Sequence, residues 1–150
     1  MNSLQIDNIL RNSLQTNNCY KGIYASNNIK KQTTYPYAIV ANTDKYGTKG
    51  THWVGIFVPD SNSIEYFDSF GETPNNDLKI FLSNYKKIKT NKVKIQNSLD
   101  ISCGPYVIYF LMQRCKGESF ENIIKKLIRY IPFSDTFVKM FVYNTAKATV

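Results

Sequence analysis

"GTHWVGIFVPDSNSIEYFDSFG", residues 50 to 71, decides the fold. "HWVGIFV" and "IEYFDSF" are strand-like runs rich in β-branched and aromatic residues, and the turn-forming "PDSNS" links them, so the segment predicts a β-hairpin. With the turn centred near Ser61, opposed positions sum to about 121 or 122, which sets His52 across the ladder from Ser69 or its neighbour Asp68. His52 is the only histidine of the chain and Trp53 the only tryptophan. A carboxylate at that place can accept a hydrogen bond from one ring nitrogen and leave the other to act as a base. A histidine beside a tryptophan also reads as a packed hairpin residue, and an aspartate at a strand end as a turn cap.

Around the hairpin the pattern is helices, then strands, then helices, which is an α+β arrangement. Ser3 is placed to cap an amphipathic helix over 4 to 14, with Ile6, Ile9, Leu10 and Leu14 on one face. "YAIVA" at 37 to 41 reads as a short buried strand, "LKIFLSNY" at 78 to 85 as a helix and "KVKI" at 92 to 95 as a strand. "GPYVIYFLMQRC" from Gly104 is too continuously apolar for a surface helix and suits one buried mid-domain, with Pro105 harmless in its first turn. Ser119 then starts a helix that presents Phe120, Ile123, Ile124, Leu127 and Ile128, with Pro132 beyond its end. A last helix, roughly 135 to 145, presents Phe137, Val138 and Phe141. No repeat and no low-complexity tract interrupts the chain, so one domain over 1 to 150 is expected.

Length and composition agree with that expectation. The chain has 150 residues, 43% of them hydrophobic and 14% aromatic, too rich in rings for a disordered segment. Its N-terminus is polar and its longest apolar run, "YVIYFLM" at 106 to 112, is too short to cross or enter a bilayer, so no signal peptide and no membrane partner are expected. Cys19, Cys103 and Cys115 are an odd number at unpatterned spacings, which argues against a disulfide framework and for a reducing compartment. One histidine and no close pair of cysteines are too few ligands for a structural zinc site, so no metal is expected.

The formal net charge is +8. Much of the excess lies in residues 78 to 95, which hold Lys79, Lys86, Lys87, Lys89, Lys92 and Lys94. This stretch reads either as a solvated face that keeps the protein soluble or as a footprint for a polyanion such as DNA.

The chemistry converges on Cys103. It stands at a helix N-terminus, where unsatisfied N–H groups and the helix dipole favour a thiolate, and a nearby imidazolium would favour it further. Gly104 removes a side chain where a substrate backbone would approach. Gln96, at the end of the expected "KVKI" strand, could donate its amide together with the Cys103 N–H to a developing oxyanion. A cysteine at a helix start is also often just small and buried.

In chain order, "HW" at 52 to 53, "YFDSFG" at 66 to 71, Gln96 and "SCGPYVIYFL" at 102 to 111 resemble the adenovirus-type cysteine endopeptidases, in the clan that also holds the SUMO-specific proteases. "YKGIYASN" and "AIVANTDKYGTKGTHW" are similar to the family's N-terminal part, so the resemblance covers about residues 5 to 112. The tail after Ser119 carries no family signature.

The resemblance implies a papain-like α+β fold, with a mixed central sheet packed against the helix that carries the nucleophile. It implies His52 as general base, Asp68 as its orienter, Cys103 as nucleophile and Gln96 as oxyanion donor. Trp53 and Gly104 would wall the substrate channel, although Trp53 reads equally as a core ring under the hairpin. The implied activity is that of a viral thiol endopeptidase, maturing capsid or core precursors at glycine-containing sites in the virion or infected cell. Removal of ubiquitin or a ubiquitin-like modifier by the same residues is an alternative, and a silent nucleic-acid-binding module is a third.

No cofactor is expected beyond activation by DNA or a viral peptide, and the chain is expected to act as a monomer. No cysteine lies between Cys19 and Cys103, so the covalent peptide activation of the adenovirus enzymes is expected to be absent. The short chain is of the minimal kind expected in a virophage or a related small DNA virus.

Overall fold

A computed structural model describes residues 1–44, 52–97 and 101–148. The part of the "AIVANTDKYGTKGTHW" resemblance at 45–51 lies outside them. The elements run α1 (Ser3–Asn12), β1 (Tyr20–Ala25), β2 (Tyr37–Asn42), β3 (Trp53–Asp60), β4 (Ser63–Phe67), α2 (Asn76–Leu82), β5 (Lys87–Thr90), α3 (Cys103–Lys116), α4 (Phe120–Arg129) and α5 (Ser134–Ala148).

The five strands form one mixed sheet in sequence order, with antiparallel pairs at its centre and the outer strands β1 and β5 parallel to their neighbours. The expected hairpin is β3–β4. Its pairs Gly55 with Phe67, Ile56 with Tyr66 and Phe57 with Glu65 place opposed residues within the anticipated register, and an irregularity follows towards Asp60 and Ser63.

Alternation along the strands divides the core in two, because successive side chains leave opposite faces of a strand. Ile39, Val54, Ile56, Val58, Ile64 and Tyr66 face Leu78, Phe81 and Leu82 of α2. Val40, Phe57 and Phe67 face the layer that contains α1, α3, α4 and α5. α3 is the centre of that layer, and its residues Gly104 to Met112 are all buried, which is why its sequence is apolar all round.

Gly55 is what brings α3 close to the sheet. A Cβ there would lie 3.0 Å from the Phe110 ring and 3.5 Å from Val107. Phe110 stacks on Phe67 at 4.7 Å between centroids. The far end of α3 is tied to the sheet by Arg114, whose guanidinium donates to both Glu65 carboxylate oxygens at 2.6 and 3.0 Å and lies over the Phe57 ring. Cys103 is thereby placed by its own helix, which is fixed at both ends.

Four expectations are corrected. Asn2, not Ser3, caps α1: its side chain accepts from the Gln5 N–H while the Gln5 side chain accepts from the Asn2 N–H, and Ser3 is the first helical residue. The strand expected at 92–95 is instead β5 at Lys87–Thr90. "KIKT" and "KVKI" share the same period-two pattern, and after the Tyr66–Thr90 pair the Asn91 side chain bonds the backbone of Asp68, just beyond β4. β1 at Tyr20–Ala25 was not anticipated, since its partly buried edge position blurs the alternation. Finally, the structure joins Cys19 and Cys115 in a disulfide across 96 residues of sequence. The loop before β1 meets the end of α3, and no short-range spacing announces that meeting.

Candidate active site

His52 immediately precedes β3, and its carbonyl accepts from the Thr43 N–H at 3.0 Å. Asp68 immediately follows β4. The hairpin therefore delivers both side chains to one end of the sheet, where His52 Nε2 lies 2.6 Å from Asp68 Oδ1. Both are withdrawn from solvent, with side-chain exposures of 12% and 3%. Asp68 Oδ1 also accepts from the Phe70 N–H at 2.9 Å, which closes a tight turn and aims the carboxylate. The imidazole leans on the Phe70 ring, 4.9 Å between centroids. With Nε2 engaged, Nδ1 is left buried without a hydrogen-bond partner in the protein.

Cys103 opens α3 and is the one cysteine outside the disulfide. Burial alone pushes its thiol up. The neighbouring His52 imidazole and the N–H groups of Trp53 and Gly104 outweigh burial and hold the thiol below its ordinary value. The imidazolium is likewise disfavoured by burial. The hydrogen bond to Asp68 and the nearby Cys103 thiol overcome that, and His52 is raised from 6.5 to about 9. The pair therefore favours thiolate and imidazolium together, the state a cysteine nucleophile needs.

The turn after β4 is held from below by residues 91–96. The Asp68 N–H donates to Asn91 Oδ1, Asn91 Nδ2 donates to the Asp68 carbonyl, and the Ser69 carbonyl accepts from the N–H groups of Ile95 and Gln96. Gly71 has φ +66, and a Cβ on it would sit 2.7 Å from the Val93 backbone. Gln96 is buried in this segment, outside any strand, and its Oε1 accepts from Ser69 Oγ at 2.6 Å. A hydroxyl donor on Oε1 assigns the other end of that amide as a donor.

His52, Asp68 and Cys103 thus come together as the sequence suggested, while Gln96 is held on Ser69, the residue that follows Asp68. Trp53 is partly buried against the core on the α3 side, and its N–H is one of the groups at the Cys103 thiol. Gly104 requires correction: its open side faces Met1 and Ile6, where a Cβ would meet their atoms at 3.1 to 3.3 Å, so glycine accommodates α1 rather than a substrate. Lys79, Lys86, Lys87, Lys89, Lys92 and Lys94 are all exposed; Lys89 pairs with Glu121 at 2.7 Å and Lys94 lies over the Phe70 ring. The sequence reading missed Ser69 and Asn91, whose role depends on contacts 27 and 23 residues away. Among the described residues no group of His, Cys, Asp and Glu could hold a metal ion, and no helix is long and apolar enough to cross a membrane.

No protein-family model matches the chain. It is 30% identical over 126 residues to a SUMO-1 cysteine protease of African swine fever virus, an alignment covering 73% of this chain and 46% of that one. The chain is a homologue of viral cysteine proteases. It is also 32% identical over 105 residues to a protein of Acanthamoeba polyphaga mimivirus named as a thiol protease, covering 62% of this chain and 34% of the relative. The chain therefore spans between a third and a half of these relatives' length. Its fold matches a crystal structure of a protease of African swine fever virus, with TM-score 0.59 and 20% identity over 86% of this chain and 64% of the other. The α+β fold and the kinship with the SUMO-protease clan anticipated from the sequence both stand.

Proposed function

We propose that this protein is a thiol endopeptidase that processes viral capsid or core precursors, cutting beside glycine. The observation that carries the proposal is the buried imidazole bonded to a carboxylate and lying beside the one free thiol at a helix N-terminus. Cys103 attacks the scissile carbonyl as a thiolate. His52 then gives its proton to the leaving amine, and later takes one from the water that hydrolyses the acyl-enzyme. Asp68 keeps the ring oriented and charged through the first half of that cycle. The Cys103 N–H and the Gln96 amide stabilise the oxyanion, an effect on the order of 3 kcal/mol per donor in such sites.

Co-expression with the major capsid precursor, followed by sequencing of new N-termini, tests the proposal. Cleavage is expected with the wild type and absent with Cys103→Ala and His52→Ala, each of which should retain its fold. Uncleaved precursor with a folded wild type overturns it. The homology to a protein named a SUMO-1 protease favours a second reading, an isopeptidase using the same residues. Covalent labelling by a ubiquitin-like probe, without precursor cleavage, would decide for that reading.

The exposed lysines of 78–95 support DNA as an activator or tether. Affinity for duplex DNA should then fall steeply with salt and disappear on neutralising Lys86, Lys87 and Lys89. Salt-independent binding excludes it. A silent nucleic-acid module would bind DNA while its thiol titrated in the ordinary range.

A further inference from the structure

β5 runs parallel to β4 with Thr90 opposite Tyr66, so the next residue is where another backbone rung would form. The chain leaves the sheet there, and the Asn91 side chain supplies the bonds instead. The Asp68 N–H donates to Asn91 Oδ1 at 2.9 Å, and Asn91 Nδ2 donates to the Asp68 carbonyl at 2.5 Å. Asn91 is 5% exposed and Asp68 2%. The Asp68 carbonyl also accepts from the Gly71 N–H at 2.8 Å, so it is the Asp68 N–H that depends on Asn91, and a buried N–H left without a partner is costly. A carboxamide offers a donor and an acceptor side by side, so these two opposite backbone groups also fix which way the amide faces.

We propose that Asn91 is a positioning residue: by gripping the backbone of Asp68 it sets the carboxylate on His52 Nε2, and through it the imidazole toward Cys103. This rests on the roles proposed above for His52 and Cys103. Asp68 reaches His52 through a single 2.6 Å bond, and its backbone otherwise hangs on the turn of residues 68–71. A displacement of about 1 Å at such a site costs on the order of 100-fold in rate.

The test compares wild type, Asn91→Ala and Asn91→Asp for urea unfolding, steady-state cleavage of a peptide substrate and the pH profile of Cys103 alkylation by iodoacetamide. Asn91→Asp keeps the acceptor for the Asp68 N–H and sets an oxygen against its carbonyl, so it carries the test if the alanine variant does not fold. In the folded variants kcat should fall by about 10- to 100-fold with KM nearly unchanged. The alkylation inflection should move up in pH. Variants that lose stability yet keep the wild-type kcat and alkylation profile overturn the proposal, because a merely structural residue would behave so. If His52→Ala leaves the alkylation profile unaltered, the underlying assignment of the base fails instead, and the two failures are told apart.

Discussion

Asp68→Asn keeps the shape of the side chain and removes its charge, and the consequence can be followed through the site. Burial works against the His52 imidazolium, yet the bond to Asp68 and the nearby Cys103 thiol hold it at about 9 in place of 6.5. At 1.36 kcal/mol per pH unit that rise is worth about 3 kcal/mol. With an amide at position 68, burial is opposed by Cys103 alone. The ring becomes largely neutral at pH 7, and the thiol loses the cation that held it down. Cys19 and Cys115 are paired, so iodoacetamide reports on Cys103 alone, and the adduct can be followed by intact mass. The inflection of alkylation rate against pH should rise in the variant toward the ordinary thiol value of 9.0. Cleavage, measured as kcat/KM, should fall by about 100-fold, the rate equivalent of about 3 kcal/mol. An unmoved inflection with kcat/KM within about threefold of wild type would refute the coupling of carboxylate, imidazole and thiol.

The wild-type rate should be bell-shaped in pH: the acid limb, where Cys103 regains its proton, lies below the usual thiol range, and the alkaline limb, where His52 loses its proton, lies near 9. A flat profile from pH 6 to pH 10 would contradict it. Arg114→Ala leaves the buried Glu65 carboxylate without its cation and should lower unfolding free energy by about 3–5 kcal/mol in urea. A loss under about 1 kcal/mol would mean that the pair is solvated. Gly71→Ala forces a side chain into a left-handed backbone and against Val93, and should cost at least ~1–3 kcal/mol. It should also lower kcat by loosening the turn that carries Asp68; unchanged stability would show that the turn relaxes freely.

What was legible in the sequence follows the range of the interactions. The hairpin turn lies within a few residues of its strands, so its register could be estimated, and with it the meeting of His52 and Asp68. The all-apolar α3 announced a buried helix with Cys103 at its start. β5 lies a few residues before the expected strand because "KIKT" and "KVKI" alternate alike, and the choice between them is made by tertiary pairing with β4, beyond which Asn91 grips Asp68. Cys19 and Cys115 pair across 96 residues, a separation at which no spacing rule operates. Gly104 was assigned to the substrate from the chemistry of its neighbour, whereas the packing of Met1 and Ile6 against it explains its size.

In the proposed mechanism Cys103 forms the covalent intermediate with His52 as its proton partner. An activated ester of a glycine-terminated peptide, quenched in acid during turnover and mapped by mass spectrometry, tests it most directly. An acyl group is expected on the Cys103 peptide in the wild type and none in His52→Ala at the same time point. Turnover of the ester with Cys103 unmodified, or equal acylation without His52, would contradict it.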